Sequence, residues 1–131
     1  MHHLFRLAAL GALSVLAGAC GNSKTLAPGS ATGFHDACTV ANASNSKTVL
    51  VADEGFMPSC IAVTRGTQVT FSNVGAEEHT VSTVEGQPEA FDLEGLTPGS
   101  SLAHTFQSAG TYSIVCDFHP AMRLTVIVVG S

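Results

Sequence analysis

The sequence predicts an all-β fold, a Greek-key β-sandwich of about seven to eight strands in one domain. From Lys47 onward, short runs rich in β-branched and aromatic residues alternate with turn sequences such as Arg65-Gly66 and Thr97-Pro98-Gly99. No stretch of the chain has a strong helical period. The length of 131 residues suits one domain rather than two.

These runs give the individual strand predictions, and their alternation indicates which side chains face the core. The predicted strands are Thr48–Ala52, Ile61–Thr64, Thr67–Asn73, His79–Thr83, Ser101–Gln107, Thr111–Cys116 and Met122–Val129. Alternate side chains of a strand share a face. One apolar face therefore comprises Tyr112, Ile114 and Cys116, and another comprises Met122, Leu124, Val126 and Val128. If these are core faces, Cys116 and Met122 point inward at the same end of the sandwich.

The composition is that of an ordinary globular domain with few surface charges, since 45% of the residues are hydrophobic and 11% are charged. The formal net charge is −5, and the five Lys and Arg residues are spread along the chain. Because nucleic-acid binding requires a basic face, the composition excludes nucleic acid as a partner.

The N-terminus resembles an export signal. Residues 1–6 form a short basic n-region, and Leu7 to Ala17 is an apolar run of 11 residues, which is too short to cross a bilayer as a helix. Residues 1–19 are therefore predicted to be a signal peptide. The stretch from Leu16 to Cys20 resembles a bacterial lipobox, which predicts that Cys20 is the lipidated first residue of the mature protein. An ordinary signal peptide that is cut nearby is the alternative.

Export predicts a periplasmic or cell-surface protein, and lipidation of Cys20 would hold it on the outer face of a membrane. Residues 20–45 are rich in Gly, Ser, Ala, Thr and Asn, which is typical of a flexible tether. Residues 46–131 form the predicted folded domain.

The segment from Cys116 to Met122 contains the pattern C-x₂-H-x₂-M, which places a thiolate, the imidazole of His119 and a thioether close together. Thiolate and thioether are soft ligands that favour Cu(I), while imidazole accepts both oxidation states of copper. His79, at the start of a predicted strand, supplies the second imidazole that a blue-copper donor set requires. A lone C-x₂-H pattern also occurs in zinc sites, so the prediction depends on the fuller pattern.

Two groups of motifs resemble the two halves of a cupredoxin of the plastocyanin and amicyanin type. The first group comprises Phe56-Met57-Pro58, Gly66-Thr67-Gln68-Val69-Thr70-Phe71 and His79-Thr80-Val81. The second group comprises Phe91-Asp92, His104-Thr105-Phe106, Gly110-Thr111-Tyr112 and the Cys-His-Met loop. The resemblance covers residues 47–129, and the two-residue gaps on both sides of His119 are similar to amicyanin.

The resemblance implies both a site and a function. It assigns one copper ion, in a type 1 (blue) site, to the ligands His79, Cys116, His119 and Met122. It also implies that the protein is a monomer that transfers single electrons and is not an enzyme. The family often has Asn after the first ligand histidine, whereas this chain has Thr80, whose hydroxyl can make the hydrogen bond that braces the cysteine loop.

The four cysteines fit this assignment. Lipidation of Cys20 leaves three, and an odd number in an exported protein leaves one thiol unpaired. Because Cys116 belongs to the metal loop, Cys38 and Cys60 are predicted to form a disulfide, which persists in an oxidising compartment. The alternative is that Cys116 pairs with one of them and that no metal binds.

The electron-transfer surface is predicted to lie on this loop, at Phe118, His119, Pro120 and Ala121. Loop tips are normally polar, so the apolar residues here indicate a contact surface. The negative net charge indicates a redox partner protein with a basic docking face. His104, in contrast, is predicted to be a hydrogen-bonded structural residue rather than a ligand.

Three other functions fit parts of the pattern. An extracytoplasmic copper carrier or storage protein would use the same fold with exchangeable ligands that are often Met- or His-rich, and the chain has three Met. A copper enzyme such as a multicopper oxidase or nitrite reductase needs extra His pairs, commonly H-x-H, and two or more domains. A metal-free interaction module would have no need of all four ligands.

Overall fold

The computed structural model describes residues 38–130, which fold as two β-sheets around one core. The predicted signal peptide, Cys20 and most of the predicted tether lie outside the described residues. Within residues 38–130, the strands are β1 Thr48–Ala52, β2 Gly55–Met57, β3 Cys60–Thr64, β4 Gln68–Asn73, β5 His79–Thr83, β6 Asp92–Leu96, β7 Ser101–Thr105, β8 Gly110–Val115 and β9 Arg123–Val129. In this same range, no helix is long and apolar enough to cross a bilayer.

The two sheets have four and five strands. Their strand orders are β2-β1-β4-β7 and β3-β9-β8-β5-β6. The pairs β1–β4 and β3–β9 are parallel, and the remaining pairs are antiparallel. Neighbours in a sheet are often distant in sequence, as Greek-key connections require.

The predicted all-β sandwich is confirmed, and each predicted strand is present within two residues of its predicted ends. The strands β2 and β6 were not predicted. β2 has only three residues and ends directly before Pro58. β6 contains Asp92, Glu94 and Gly95, which are residue types that are depleted in strands. Both strands form because a neighbouring strand supplies hydrogen-bond partners, which local sequence does not reveal.

The core faces of β8 and β9 are those that alternation predicts. The inward residues of these strands and of the positions directly next to them are all at most 2% exposed, namely Tyr112, Ile114, Cys116, Met122, Leu124, Val126 and Val128. Valine and aromatic side chains of the other sheet, among them Val49, Val51 and Phe71, complete the same apolar cluster. Burial of this surface is the main favourable contribution to folding.

Residues 38–46, the last part of the predicted tether and its junction with the domain, contact the edge of β3. Ser44 forms a parallel bridge with Ile61, and a disulfide joins Cys38 to Cys60. Cys116 is the free thiol among the described cysteines. The disulfide therefore joins the two cysteines that the sequence analysis paired and leaves the third available.

One end of the sandwich concentrates the functional residues, and we term it the upper end. It carries the β1–β2 turn, the loop before β5, and the loop between β8 and β9. The opposite, lower end carries Lys47 directly before β1 and Arg65 directly after β3.

Candidate metal centre

The upper end brings the predicted ligand residues together from three segments of the chain. His79 opens β5, Cys116 directly follows β8, and His119 lies in the loop between β8 and β9. One nitrogen of each imidazole and the Cys116 sulfur all lie within 4.8 Å of one another. Met122, directly before β9, is 1% exposed at the same end of the core.

The loop from Cys116 to Met122 consists of two consecutive tight turns. The His119 N–H donates to the Cys116 carbonyl at 3.2 Å, and the Met122 N–H donates to the His119 carbonyl at 2.8 Å. Each hydrogen bond closes a four-residue turn. The two-residue gaps in the sequence pattern therefore return all three side chains to the same end of the core.

The spacing of the donor atoms fits a metal ion. Sγ of Cys116 lies 3.7 Å from Nδ1 of His79 and 3.8 Å from Nδ1 of His119. An ion bonded to sulfur at about 2.3 Å and to nitrogen at about 2.0–2.1 Å separates these donors by roughly 3.5–3.8 Å, for angles between tetrahedral and trigonal. A set of two imidazoles, one thiolate and a weak thioether is the donor set of blue copper, so the residues present fit one copper ion.

The Cys116 side chain is held in the form that binds metals. Burial raises the pKa of its thiol, but hydrogen bonds from the Thr80 N–H and from the imidazoles of His79 and His119 outweigh burial and lower the pKa to about 6. The Thr80 N–H donates to Sγ at 3.4 Å. Because the thiolate is the metal-binding form, Cys116 offers a soft anionic ligand at neutral pH.

His79 is oriented by a carboxylate that sequence analysis did not single out. Oδ1 of Asp53, on the β1–β2 turn, lies 3.2 Å from Nε2 of His79, whose side chain is fully buried. An ionised carboxylate only accepts hydrogen bonds, so Nε2 carries a hydrogen, which leaves Nδ1 as the nitrogen that faces Cys116 and can bind a metal ion. Carboxylates paired in this way fix the tautomer and orientation of metal-binding histidines.

The same carboxylate organises the loop before β5. It accepts hydrogen bonds from the backbone N–H groups of Ala76 and Glu77 at 3.0 Å, and these bonds lower the pKa of Asp53. A Cβ atom at Gly75 would overlap the Asp53 carboxylate, so this close approach requires glycine.

Thr80 braces the cysteine loop from β5. Its Oγ1 donates to Oδ2 of Asp117 at 3.0 Å and accepts from the Asp117 N–H at 2.8 Å. Together with the N–H that Thr80 donates to the Cys116 sulfur, these bonds fix the loop on both sides of the peptide that joins Cys116 to Asp117. The brace that the sequence analysis expected from the Thr80 hydroxyl is therefore present, with a carboxylate as its partner.

The residues of the predicted electron-transfer surface lie together at the tip of the upper end. Phe118 is 59% exposed, and Pro120 and Ala121 are also exposed. The side chain of His119 is 33% exposed, and its Nε2 lies 2.8 Å from Oε2 of Glu77. The other three predicted ligands are at most 1% exposed. His119 is therefore the predicted ligand that reaches the surface.

His104 lies outside this cluster. Its Nε2 is 2.8 Å from Oε1 of Glu89, and its ring stacks on Phe91 with centroids 3.8 Å apart. These contacts confirm the prediction of a hydrogen-bonded structural histidine.

Comparisons with known proteins agree with this geometry. The family model of the cupredoxin-like domain matches residues 13–129. Amicyanin-alpha from Methylorubrum extorquens is 30% identical over 87 residues, which are 65% of this chain and 73% of that protein.

Two solved structures have folds similar to that of this chain. An oxidised amicyanin variant has a TM-score of 0.58 and 30% identity, and the match covers 70% of this chain and 90% of that one. A copper-containing nitrite reductase from Thermus scotoductus has a TM-score of 0.59 and 27% identity, and the match covers 63% of this chain but spans only 22% of the reductase. Since the family model covers most of the sequence, the chain belongs to the cupredoxin-like family.

Proposed function

We propose that this chain is an electron carrier, which binds one copper ion through His79, Cys116, His119 and Met122 and exchanges single electrons with a protein partner. The observation that carries the proposal is the spacing of two imidazole nitrogens around a thiolate, at 3.7 and 3.8 Å. When bound, copper supplies the Cu(II)/Cu(I) couple. The similarity to amicyanin supports the same function.

The residues of this chain would serve electron transfer by holding the donor atoms still. Asp53 fixes His79, and Thr80 fixes the loop that carries Cys116. Thiolate and thioether favour Cu(I), while imidazole suits both oxidation states. A donor set that barely moves and suits both states keeps the rearrangement between them small, which favours rapid transfer.

Reconstitution of the full chain with Cu(II) tests this proposal. We expect an intense blue or green colour from thiolate-to-copper charge transfer and a reversible one-electron wave. Cys116→Ser should abolish the colour, and Met122→Leu should keep copper and raise the potential. Met57→Leu, the same change at a methionine that is 49% exposed, is the control and should leave the potential unchanged. A colourless protein that binds zinc equally well would refute the proposal.

Burial of the ligands favours electron transfer over copper carriage. A carrier must release its ion, whereas three of the four proposed ligands are almost fully buried. Catalysis by a second copper centre is also disfavoured. The sequence contains no H-x-H pair, and within residues 38–130 one group of His, Cys and acidic side chains has the spacing of metal ligands, namely His79, Cys116 and His119.

Electrons would enter and leave through His119, at the apolar surface formed with Phe118, Pro120 and Ala121. An exposed apolar patch is typical of a contact surface, and weak redox encounters bury little area. The upper end holds Arg123 and five carboxylates, those of Asp53, Glu54, Glu77, Glu78 and Asp117. Lys47 and Arg65 lie at the lower end. This distribution favours a partner with a basic docking face.

We further propose that the protein is exported, with residues 1–19 removed and Cys20 lipidated, and that residues 20–45 tether the domain to the outer face of a membrane. The disulfide between Cys38 and Cys60 supports export, because disulfides persist in oxidising compartments. Labelling with a fatty acid should mark the wild type and not Cys20→Ala. A wild-type protein that is wholly soluble and begins at another residue would refute the lipid anchor.

A further inference from the structure

The cysteine loop has a second support, which reaches the edge strand β6. Ser82, on β5 two residues after Thr80, is 6% exposed. Its Oγ lies 2.6 Å from Oδ2 of Asp117, 2.6 Å from Oδ1 of Asp92 and 3.3 Å from Oγ1 of Thr80. One serine hydroxyl therefore links the loop carboxylate that Thr80 holds to a carboxylate on another strand.

The two carboxylates compete for this hydroxyl, because both lie 2.6 Å from Ser82 Oγ. A serine hydroxyl has one hydrogen to donate, so it donates to either Asp92 or Asp117 at any moment. Whatever strengthens the acceptor on β6 draws the hydrogen from Asp117. The charge and position of Asp92 therefore affect how firmly Asp117 is held.

Asp117 in turn affects the metal ligand beside it. Its N–H and its carboxylate are both bonded to the Thr80 hydroxyl, and the Thr80 N–H donates to the Cys116 sulfur. A hydrogen bond to a metal-binding sulfur tunes the electronic character of the site. The path from β6 to the sulfur thus consists of contacts of 2.6 to 3.4 Å.

We propose that Ser82 and Asp92 are positioning residues of the copper site, which set its reduction potential through Asp117 and Thr80. This inference rests on the proposed function, in that the potential is that of bound copper. The hydrogen bonds between Thr80 and Asp117 belong to the site described above. The proposal adds that Asp92 on β6 affects these bonds through the hydroxyl of Ser82.

Reduction potentials of copper-loaded variants test the electronic part. Ser82→Ala removes a donor from Asp117 and loosens the bond to sulfur, so it should lower the potential and alter the charge-transfer spectrum. Ser82→Thr retains the hydroxyl and should restore both. Asp92→Asn removes a negative charge and offers an amide donor to Ser82 Oγ, which frees the serine hydrogen for Asp117, so it should raise the potential.

A matched control separates the hydrogen-bonded path from simple charge. Glu94→Gln removes the same charge from an exposed position on the same strand, with no hydrogen bond to Ser82 among those described. The proposal predicts a larger rise in potential for Asp92→Asn than for Glu94→Gln. Equal rises would overturn the role of Asp92, and a Ser82→Ala protein with the wild-type potential and spectrum would overturn the role of Ser82.

Amide hydrogen exchange tests the mechanical part independently of the copper chemistry. In the full chain, measured metal-free and Cu(I)-loaded, Ser82→Ala should speed exchange of the Asp117 amide roughly five-fold, the factor that one hydrogen bond of about 1 kcal/mol represents. The Gly66 amide, which bonds the Phe106 carbonyl in a turn at the lower end, should be unchanged, because turn amides exchange by local opening. Unchanged exchange at Asp117 would contradict the support, whereas a chain that binds no copper would refute the proposed function alone. If Ser82→Ala fails to fold, Asp92→Asn against Glu94→Gln still decides the proposal.

Discussion

His79 donates its Nε2 hydrogen to the carboxylate of Asp53 across 3.2 Å, between residues that are 26 positions apart in the sequence. The same carboxylate accepts the backbone N–H groups of Ala76 and Glu77. The β1–β2 turn is thereby fixed to the loop that leads into His79, the first of the proposed copper ligands. The orientation of His79 therefore depends on a contact outside its own strand.

Replacing Asp53 tests this dependence. Asp53→Ala leaves Nε2 of His79 and two loop N–H groups without their acceptor, so we expect copper affinity to fall about 10–100-fold, the usual effect of removing such an outer-shell partner. Competition with a chelator of known affinity measures it. Glu54→Ala, the adjacent exposed acid on the same turn, is the control. Equal affinities for the two variants would show that Asp53 acts only through its charge.

Gly75 is predicted to be intolerant of a side chain. A Cβ atom there would overlap the Asp53 carboxylate and approach its backbone N to 2.9 Å. Such overpacking costs about 1–3 kcal/mol, so Gly75→Ala should lower the free energy of unfolding by that amount in urea. At Gly55 a Cβ has no neighbour within 4 Å, and Gly55→Ala should change stability little. A Gly75→Ala protein as stable as Gly55→Ala would mean that the loop moves aside freely.

The ligand loop was predictable because its chemistry is local. Cys116, His119 and Met122 are separated by two-residue gaps, and their soft donors have few other uses in combination. Strand alternation also placed Cys116 and Met122 in the core correctly, since period-two patterns report directly on burial.

The outer partners of the ligands were not predictable in the same way. Asp53 is an acid in a turn, and nothing in its neighbourhood indicates that the turn folds over His79. Asp92 lies on a strand with weak strand-forming residues, so neither β6 nor its contact with Ser82 follows from local sequence. Contacts of this kind depend on which strands become neighbours, and sequence patterns do not specify that.

Acid should lower the free energy of unfolding through Glu89, which lies outside the cluster of proposed copper ligands. Burial raises the pKa of Glu89, but hydrogen bonds from His104 and the Gln107 N–H outweigh burial and lower it. A carboxyl whose folded pKa is lowered stabilises the fold above its unfolded pKa, and that contribution is lost as pH falls through the folded value.

We therefore expect metal-free Glu89→Gln to be less stable than the wild type by about 1 kcal/mol near neutral pH. The difference should shrink as the pH falls below the ordinary value of 4.5. Urea unfolding at a series of pH values measures this. Glu85→Gln, at an exposed position on the β5–β6 connection, should show no such trend. A Glu89→Gln deficit that persists undiminished in acid would show that its cause is packing and not charge.

The electron port is tested by self-exchange between oxidised and reduced copies of the protein, which needs no identified partner. If electrons pass through His119, two copies must bring their exposed Ala121 residues close together. Ala121→Glu then places like charges in contact and breaks the apolar patch, so self-exchange should slow by about ten-fold or more, while colour and potential stay nearly unchanged.

Gln68→Glu adds the same charge at the exposed lower end of β4, and its smaller effect should disappear in salt as long-range repulsion is screened. The apolar contribution at Ala121 should survive that screening. If both variants exchange electrons at the same rate, another face of the sandwich carries the electron.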